Sequence, residues 1–197
     1  MPPSANRRLI LGSTSPYRRE LLARLGIPFE VVAPRVDELQ LPQETPRQLA
    51  CRLAMAKARA VAAQHPQAVV IGSDQVADLH GEALGKPGGH DMALAQLRRM
   101  AGQAVTFQTA VAVVCKATQF AQMDLAQVSV KFRALSDAEI EAYLYAEQPY
   151  DCAGSAKSEG LGIALLESIH NDDPTALVGL PLIRTCQMLR AAGMVLL

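Results

Sequence analysis

A chain of 197 residues, half of them hydrophobic, can bury a sizeable core as one large domain or as two small lobes sharing a cleft. Nineteen basic and nineteen acidic residues cancel. That balance excludes the broad basic footprint of a nucleic-acid binder, but not a site for one small polyanion, which needs only a few local cations.

The apolar run from Leu9 stops at Gly12, and Ser13, Thr14, Ser15, Pro16, Tyr17, Arg18 and Arg19 lead into a helical pattern over residues 20–26. This predicts a strand, a tight turn and a helix with Ser15 as N-cap and Pro16 as its first residue. Hydroxyls and free backbone N–H groups then meet at the positive end of a helix with guanidinium groups nearby. Such a turn suits phosphate; the alternative is an ordinary helix start with solvated arginines. Residues 28–33 read as a short strand, followed by a polar loop with Val36, Asp37 and Glu38.

Thr45 and Pro46 open a long alanine-rich helix reaching about His65. Its apolar stripe of Leu49, Leu53, Ala60 and Val61 includes Lys57, which either snorkels to water or faces a cleft. The continuous apolar run 68–72 predicts a strand buried on both faces, ending in Ser73, Asp74 and Gln75. Asp74 then stands just past a strand end, where ligands of α/β sheets gather; a turn aspartate accepting a backbone N–H is the alternative.

Residues 76–79 and 82–84 read as a small hairpin, and Lys86 sits in the glycine-rich loop 85–89. Asp91 reads as the cap of a helix running to Ala101 and closed by Gly102. Residues 104–115 and 121–133 alternate as two long strands. Ser136 to Glu139 form a capping box for a helix to about Glu147. The loop 150–160, with Gly154, Ser155, Ala156, Lys157, Ser158, Glu159 and Gly160, is either a closure over a ligand or a flexible turn. A strand over 163–169, a turn at 171–174 and a helix opened by Gly179, Leu180 and Pro181 and ended at Gly193 complete the chain.

Strands and helices interleave without a regular βαβ repeat, which predicts a mixed α/β fold with a large, partly antiparallel sheet. Residues 1–197 read as a single domain, with no repeat and no clear linker. No apolar run approaches the ~20 residues of a membrane span. The N-terminal residues 1–8 lead into a five-residue strand, too short for a signal-peptide core. Cys51, Cys115, Cys152 and Cys186 are widely spaced, as are the four histidines; they read as reduced residues of a cytoplasmic protein with no zinc spacing. Residues 81–86 fall one short of a phosphate loop and are followed by Pro87, and the first strand lacks a dinucleotide fingerprint. A standard ATPase or nicotinamide enzyme is therefore excluded.

Seven spaced segments resemble the Maf-like nucleoside triphosphate pyrophosphatase family: Ser13 to Arg19, Val36-Asp37-Glu38, Lys57-Ala58, Gly72 to Val76, Gly85-Lys86-Pro87, Cys152 to Gly160 and Val178 to Pro181. The resemblance covers nearly the whole chain, from about Leu9 to Leu189. Within the family the chain is most similar to the branch acting on 7-methyl-GTP, which shares its Ser-Asp-Gln-Val and Gly-Ser-x-Lys-Ser-Glu-Gly runs. The dTTP/UTP branch usually has arginine, threonine and glutamine at the Tyr17, Gln75 and Glu159 positions. Two departures are visible: the 7-methyl-GTP branch often carries tryptophan at position 17 and an aromatic at position 156.

The resemblance implies an elongated mixed sheet in two lobes around a central cleft, as in the inosine triphosphate pyrophosphatases, in proteins that are often homodimers. It implies hydrolysis of 7-methyl-GTP to 7-methyl-GMP and diphosphate. Asp74 matches the proton acceptor, and Ser13, Arg18, Lys57 and Lys86 match the polyphosphate. Glu38 and Asp74 offer carboxylates to a divalent cation, Mg²⁺ or Mn²⁺; whether Asp74 is base, ligand or both stays open. Tyr17, Gln75 and Glu159 fall where the base is read. Methylation at N7 makes guanine cationic, so an aromatic face and a carboxylate suit it. Two other functions compete: the same chemistry on dTTP, UTP or another modified nucleotide, and a non-enzymatic regulator of septum formation. A regulator has no need of Asp74, Lys57 and Lys86 together.

Overall fold

The computed structural model describes residues 7–197. Residues 1–6, on which the signal-peptide expectation partly rests, lie outside the described residues.

One mixed sheet holds seven strands: β1 (Leu9–Gly12), β2 (Glu30–Val32), β3 (Val69–Leu79), β4 (Glu82–Leu84), β5 (Ala104–Cys115), β6 (Phe120–Phe132) and β7 (Leu166–His170). Their order is β2-β1-β3-β5-β6-β7, with β4 paired to β3. β1 runs parallel to β2 and β3, and the other pairings are antiparallel. The helices are α1 (Pro16–Ala23), α2 (Pro46–Gln64), α3 (His90–Met100), α4 (Asp137–Glu147) and α5 (Leu182–Ala191). The mixed α/β class matches the reading from the sequence.

The long strand β3 passes from one packed body to another. Over its first half, Val70 joins Ile10, Ala110 and Ala112 under Leu53, Ala54, Ala58 and Val61 of α2. On the other face, Ile71, Val111 and Val113 meet Leu21 and Leu22 of α1 and Met188 and Leu189 of α5. Over its second half, Ala77 and Leu79 pack with Phe107, Val128, Leu97 of α3 and Ile140 and Leu144 of α4. The helices that flank the sheet begin where local chemistry dictates. Thr45 and Gln48 form a reciprocal capping box on α2, and Ser136 and Glu139 form one on α4.

Three expectations are corrected. The strand does not end at Gly72: β3 continues through Ser73, Asp74 and Gln75, paired with β5 from Val70↔Val114 to Asp78↔Thr106. Asp74 is therefore within a strand rather than past its end. A polar triplet reads as a turn only if its side chains need water, and here tertiary partners satisfy them. Asp91 does not cap α3; Gly89 holds that position without a side-chain bond, and Asp91 lies in the first turn, where its charge still suits the helix dipole. The strand expected over 163–169 begins only at Leu166, because Leu161–Leu165 form 3-10 turns and pairing with β6 starts at Phe132↔Leu166.

Candidate functional site

Strand periodicity sorts the residues of β3. Val70, Gly72 and Asp74 point toward α2, whereas Ser73 and Gln75 point to the opposite face. Gly72 lets the two elements touch: a Cβ there would fall 2.5 Å from the Ala58 nitrogen. This close approach carries Lys57, on the buried stripe between Leu53 and Val61, to Asp74.

Lys57 is 5% exposed. Its Nζ lies 2.7 Å from Asp74 Oδ1 and 2.8 Å from Glu38 Oε1. The lysine does not snorkel; it bridges a buried carboxylate and an exposed one, that of Glu38. Burial pushes the Asp74 carboxyl above its ordinary range, against the opposing pull of Lys57 and Arg18.

The turn after β1 supplies the anion-binding end. Ser15 accepts the Arg18 N–H as N-cap, with Pro16 at the first helical position. Ser13 is buried, and its Oγ accepts the Ser15 N–H at 3.1 Å, leaving its own hydroxyl proton to donate. Arg18 is half-buried, and its Nε donates to the Gly179 carbonyl at 2.8 Å. Ser73 Oγ reaches the same carbonyl at 2.9 Å. Gly179 has φ +120, and a Cβ there would stand 3.5 Å from Arg18 Nε. One backbone oxygen thus orients the guanidinium from outside the helix that bears it.

These groups line a cleft of ≈ 660 Å³ that includes Ser13, Arg18, Glu38, Lys57, Asp74 and Lys86. The size is that of a small-molecule site. An adjoining pocket of ≈ 180 Å³ takes in Tyr17, Asp151, Ala156 and Glu159. Thr14, Ser15, Arg18, Gln75, Lys86 and Ala153 line both, so the two spaces are continuous. All nine residues singled out in the sequence therefore lie in one connected hollow. Tyr17 Oη donates to Asp151 Oδ1 at 3.3 Å. Gln75 turns its amide nitrogen to Thr109 Oγ1, the Ala176 carbonyl and the Leu177 carbonyl at 2.9–3.0 Å. Its donors are thus committed to the protein, and only its Oε1 remains for a ligand. The loop 150–160 contains a 3-10 turn at Ala153–Ser155 with Gly154 and Ser155 buried, and so is anchored rather than loose.

The donors present fit a hard divalent cation. Glu38 and Asp74 place one carboxylate oxygen each around a single cationic atom, Lys57 Nζ. Mg²⁺ and Mn²⁺ commonly take one or two carboxylates and complete their shell with water and phosphate oxygens. Among the described residues, no group of three or more His, Cys, Asp or Glu forms a dedicated cage. Such an ion would therefore be shared with phosphate.

Sequence reasoning missed Asp151, the partner of Tyr17, and Arg35, which joins the cleft wall. Arg35 sits in a loop without periodicity, at φ +42. The Gly179 carbonyl was missed as well; its glycine was visible only as a helix opener.

The fold and the site together define a class. The chain matches the Maf-like protein family over residues 8–192, and it belongs to that family. Its relatives narrow the comparison. It is 76% identical over 193 residues to the 7-methyl-GTP pyrophosphatase of Albidiferax ferrireducens, covering 98% of this chain and 97% of the relative. It is 73% identical over 191 residues to the protein of that name from Polaromonas sp., covering 97% and 87%. For the Cupriavidus metallidurans protein of that name, identity is 58% over 185 residues, covering 94% and 93%.

Proposed function

We propose that this chain hydrolyses 7-methyl-GTP to 7-methyl-GMP and diphosphate. The observation that carries the reading is the convergence of Glu38, Lys57 and Asp74 at 2.7–2.8 Å in a cleft rimmed by Ser13, Arg18 and Lys86. Acidic groups for proton and cation chemistry stand beside donors for a polyphosphate. The names of relatives at 58–76% identity support the same reaction.

In this reading Ser13, Arg18 and Lys86 bind the phosphate oxygens. Asp74 accepts a proton from the attacking water as its oxygen bonds to the α-phosphorus. The bond from that phosphorus to the bridging oxygen breaks, and diphosphate leaves. Burial makes Asp74 a stronger base than an exposed aspartate. Lys57 holds Asp74 and Glu38 in register. Glu38 and Asp74 would hold a divalent cation, which, when bound, neutralises phosphate charge.

For the base, the Tyr17 ring and the Glu159 carboxylate favour the cationic methylated guanine, and Gln75 Oε1 accepts from its edge. The continuous sheet supports reading the whole chain as one domain. Among the described residues, no helix is long and apolar enough to cross a membrane. The free cysteines fit a reducing compartment, the cytoplasm.

The test is diphosphate release from 7-methyl-GTP, GTP, dTTP and UTP, each with Mg²⁺, with Mn²⁺ and with a chelator. The expected result is metal-dependent release with 7-methyl-GTP preferred. Release from none of the four would overturn the enzyme reading, and preference for UTP or dTTP would overturn the substrate.

A further inference from the structure

Behind the loop that carries Glu159 stands α4, with Tyr143 and Glu147 one helical turn apart on the same face. Tyr143 Oη donates to the Ser155 carbonyl at 3.2 Å and accepts the Lys157 N–H at 3.0 Å. Glu147 Oε1 takes the Lys157 ammonium at 2.7 Å, and its Oε2 accepts the Leu161 N–H at 2.7 Å. Gly160 packs against the same carboxylate: a Cβ there would fall 2.6 Å from Glu147 Oε2. Glu159 lies between the two residues that Glu147 holds.

The ammonium so held is not remote from the base pocket. Even so held, Lys157 Nζ stands over the Tyr17 ring, 5.8 Å from its centroid. Lys157 is also two residues from Glu159, whose charge acts on it. An unpaired ammonium here works against a cationic ligand. It can turn to Glu159 and cancel the carboxylate.

We propose that Glu147 is a specificity-positioning residue: it sequesters Lys157, which keeps that ammonium from turning to Glu159 and leaves the Glu159 charge available to a cationic purine. The inference rests on the reading of Tyr17 and Glu159 as base-recognition residues and goes beyond it, because Glu147 does not line the pocket. It assigns the selectivity for a charged base to a pairing outside the site.

The experiment compares kcat and KM for 7-methyl-GTP and GTP, which differ by one methyl group and one charge. Glu147→Gln keeps an acceptor for the Leu161 N–H and removes the charge. It is expected to lower the preference for 7-methyl-GTP roughly tenfold through KM, the scale of one partly screened charge contact. The values for GTP and the melting temperature should stay close to wild type. Adding Lys157→Met to Glu147→Gln removes the freed ammonium and should restore most of the preference. A merely structural role predicts the reverse, since the double variant loses one more anchor.

The proposal is overturned if Glu147→Gln changes both nucleotides alike, if it changes neither, or if the double variant is no better than the single. Glu159→Gln is the control for the underlying reading. If that variant keeps the wild-type preference, the reading of Glu159 fails on its own evidence, whatever Glu147→Gln does.

Discussion

Lys57 Nζ stands 2.7 Å from Asp74 Oδ1, joining a buried helix stripe to the middle of a strand. Neither residue would be tolerated there alone. Lys57 shares the buried side of its helix with Leu53, Ala58 and Val61, and Asp74 is buried in a strand that begins with the apolar run Val69, Val70 and Ile71. Each charge compensates the burial of the other, and Glu38 completes the set from the open side. The pair thus places a reactive carboxylate at the floor of a cleft and holds its orientation.

Asp74→Asn should abolish turnover while the fold persists. The change preserves size and removes both the base and a carboxylate oxygen. Loss of a general base costs about 10²–10⁴ in rate. Single-substrate kinetics on 7-methyl-GTP, with circular dichroism as the folding control, decide it. A kcat within twofold of wild type would remove Asp74 from the mechanism.

Lys57→Met should lower both activity and stability. It leaves the Asp74 carboxylate buried without its closest cation, and such an unsatisfied acceptor costs about 1–3 kcal/mol. Thermal unfolding should show the loss, and kcat/KM should fall further than stability does. An enzyme with normal kinetics would mean that the lysine serves packing alone.

Gly72→Ala tests the contact that brings the two elements together. Its new Cβ meets the backbone at Ala54 and Ala58, neither of which can swing aside. Overpacking of this kind costs roughly 1–3 kcal/mol. Because α2 must shift, Lys57 moves from Asp74, so activity at a temperature well below unfolding should fall too. A stable variant with full activity would contradict the close approach.

Asp74 also sets a pH dependence. Burial raises its folded pKa above the unfolded value. The folded protein therefore holds this proton more tightly than the unfolded chain does. The contribution favours folding at low pH and is lost as pH rises from about 4 through the folded pKa. Replacement by asparagine removes that slope. Urea unfolding of wild type and Asp74→Asn across about pH 4–8 should show the difference shifting toward the asparagine variant as pH rises. A shift in the other direction would mean that Lys57 and Arg18 outweigh burial.

Tyr17 and Glu159 carry the substrate prediction. Tyr17→Ala should cost roughly 0.5–2 kcal/mol of cation–π contact with the methylated base, besides stacking area, and Tyr17→Trp should be neutral or better. Glu159→Gln should reduce kcat/KM for 7-methyl-GTP more than for UTP. An unchanged ratio between the two nucleotides in Glu159→Gln would point to the pyrimidine branch.

Local signals were enough to read several parts of this protein. Ser15 and Pro16, Thr45 and Pro46, and Ser136 and Glu139 mark helix starts whose capping bonds close within four residues, so sequence alone carries those boundaries. The 4-residue spacing of Leu53, Lys57 and Val61 likewise placed a charge on a buried face before any partner was known. Other features depend on groups far apart in the chain. β3 runs on through Ser73, Asp74 and Gln75 because β5, α2 and the 176–179 turn satisfy those side chains. The same long-range packing turns the Gly179 carbonyl onto Arg18 and sets Glu147 against Lys157. Spacing along the chain determines which face a side chain takes; what waits on that face is determined by how the distant elements pack.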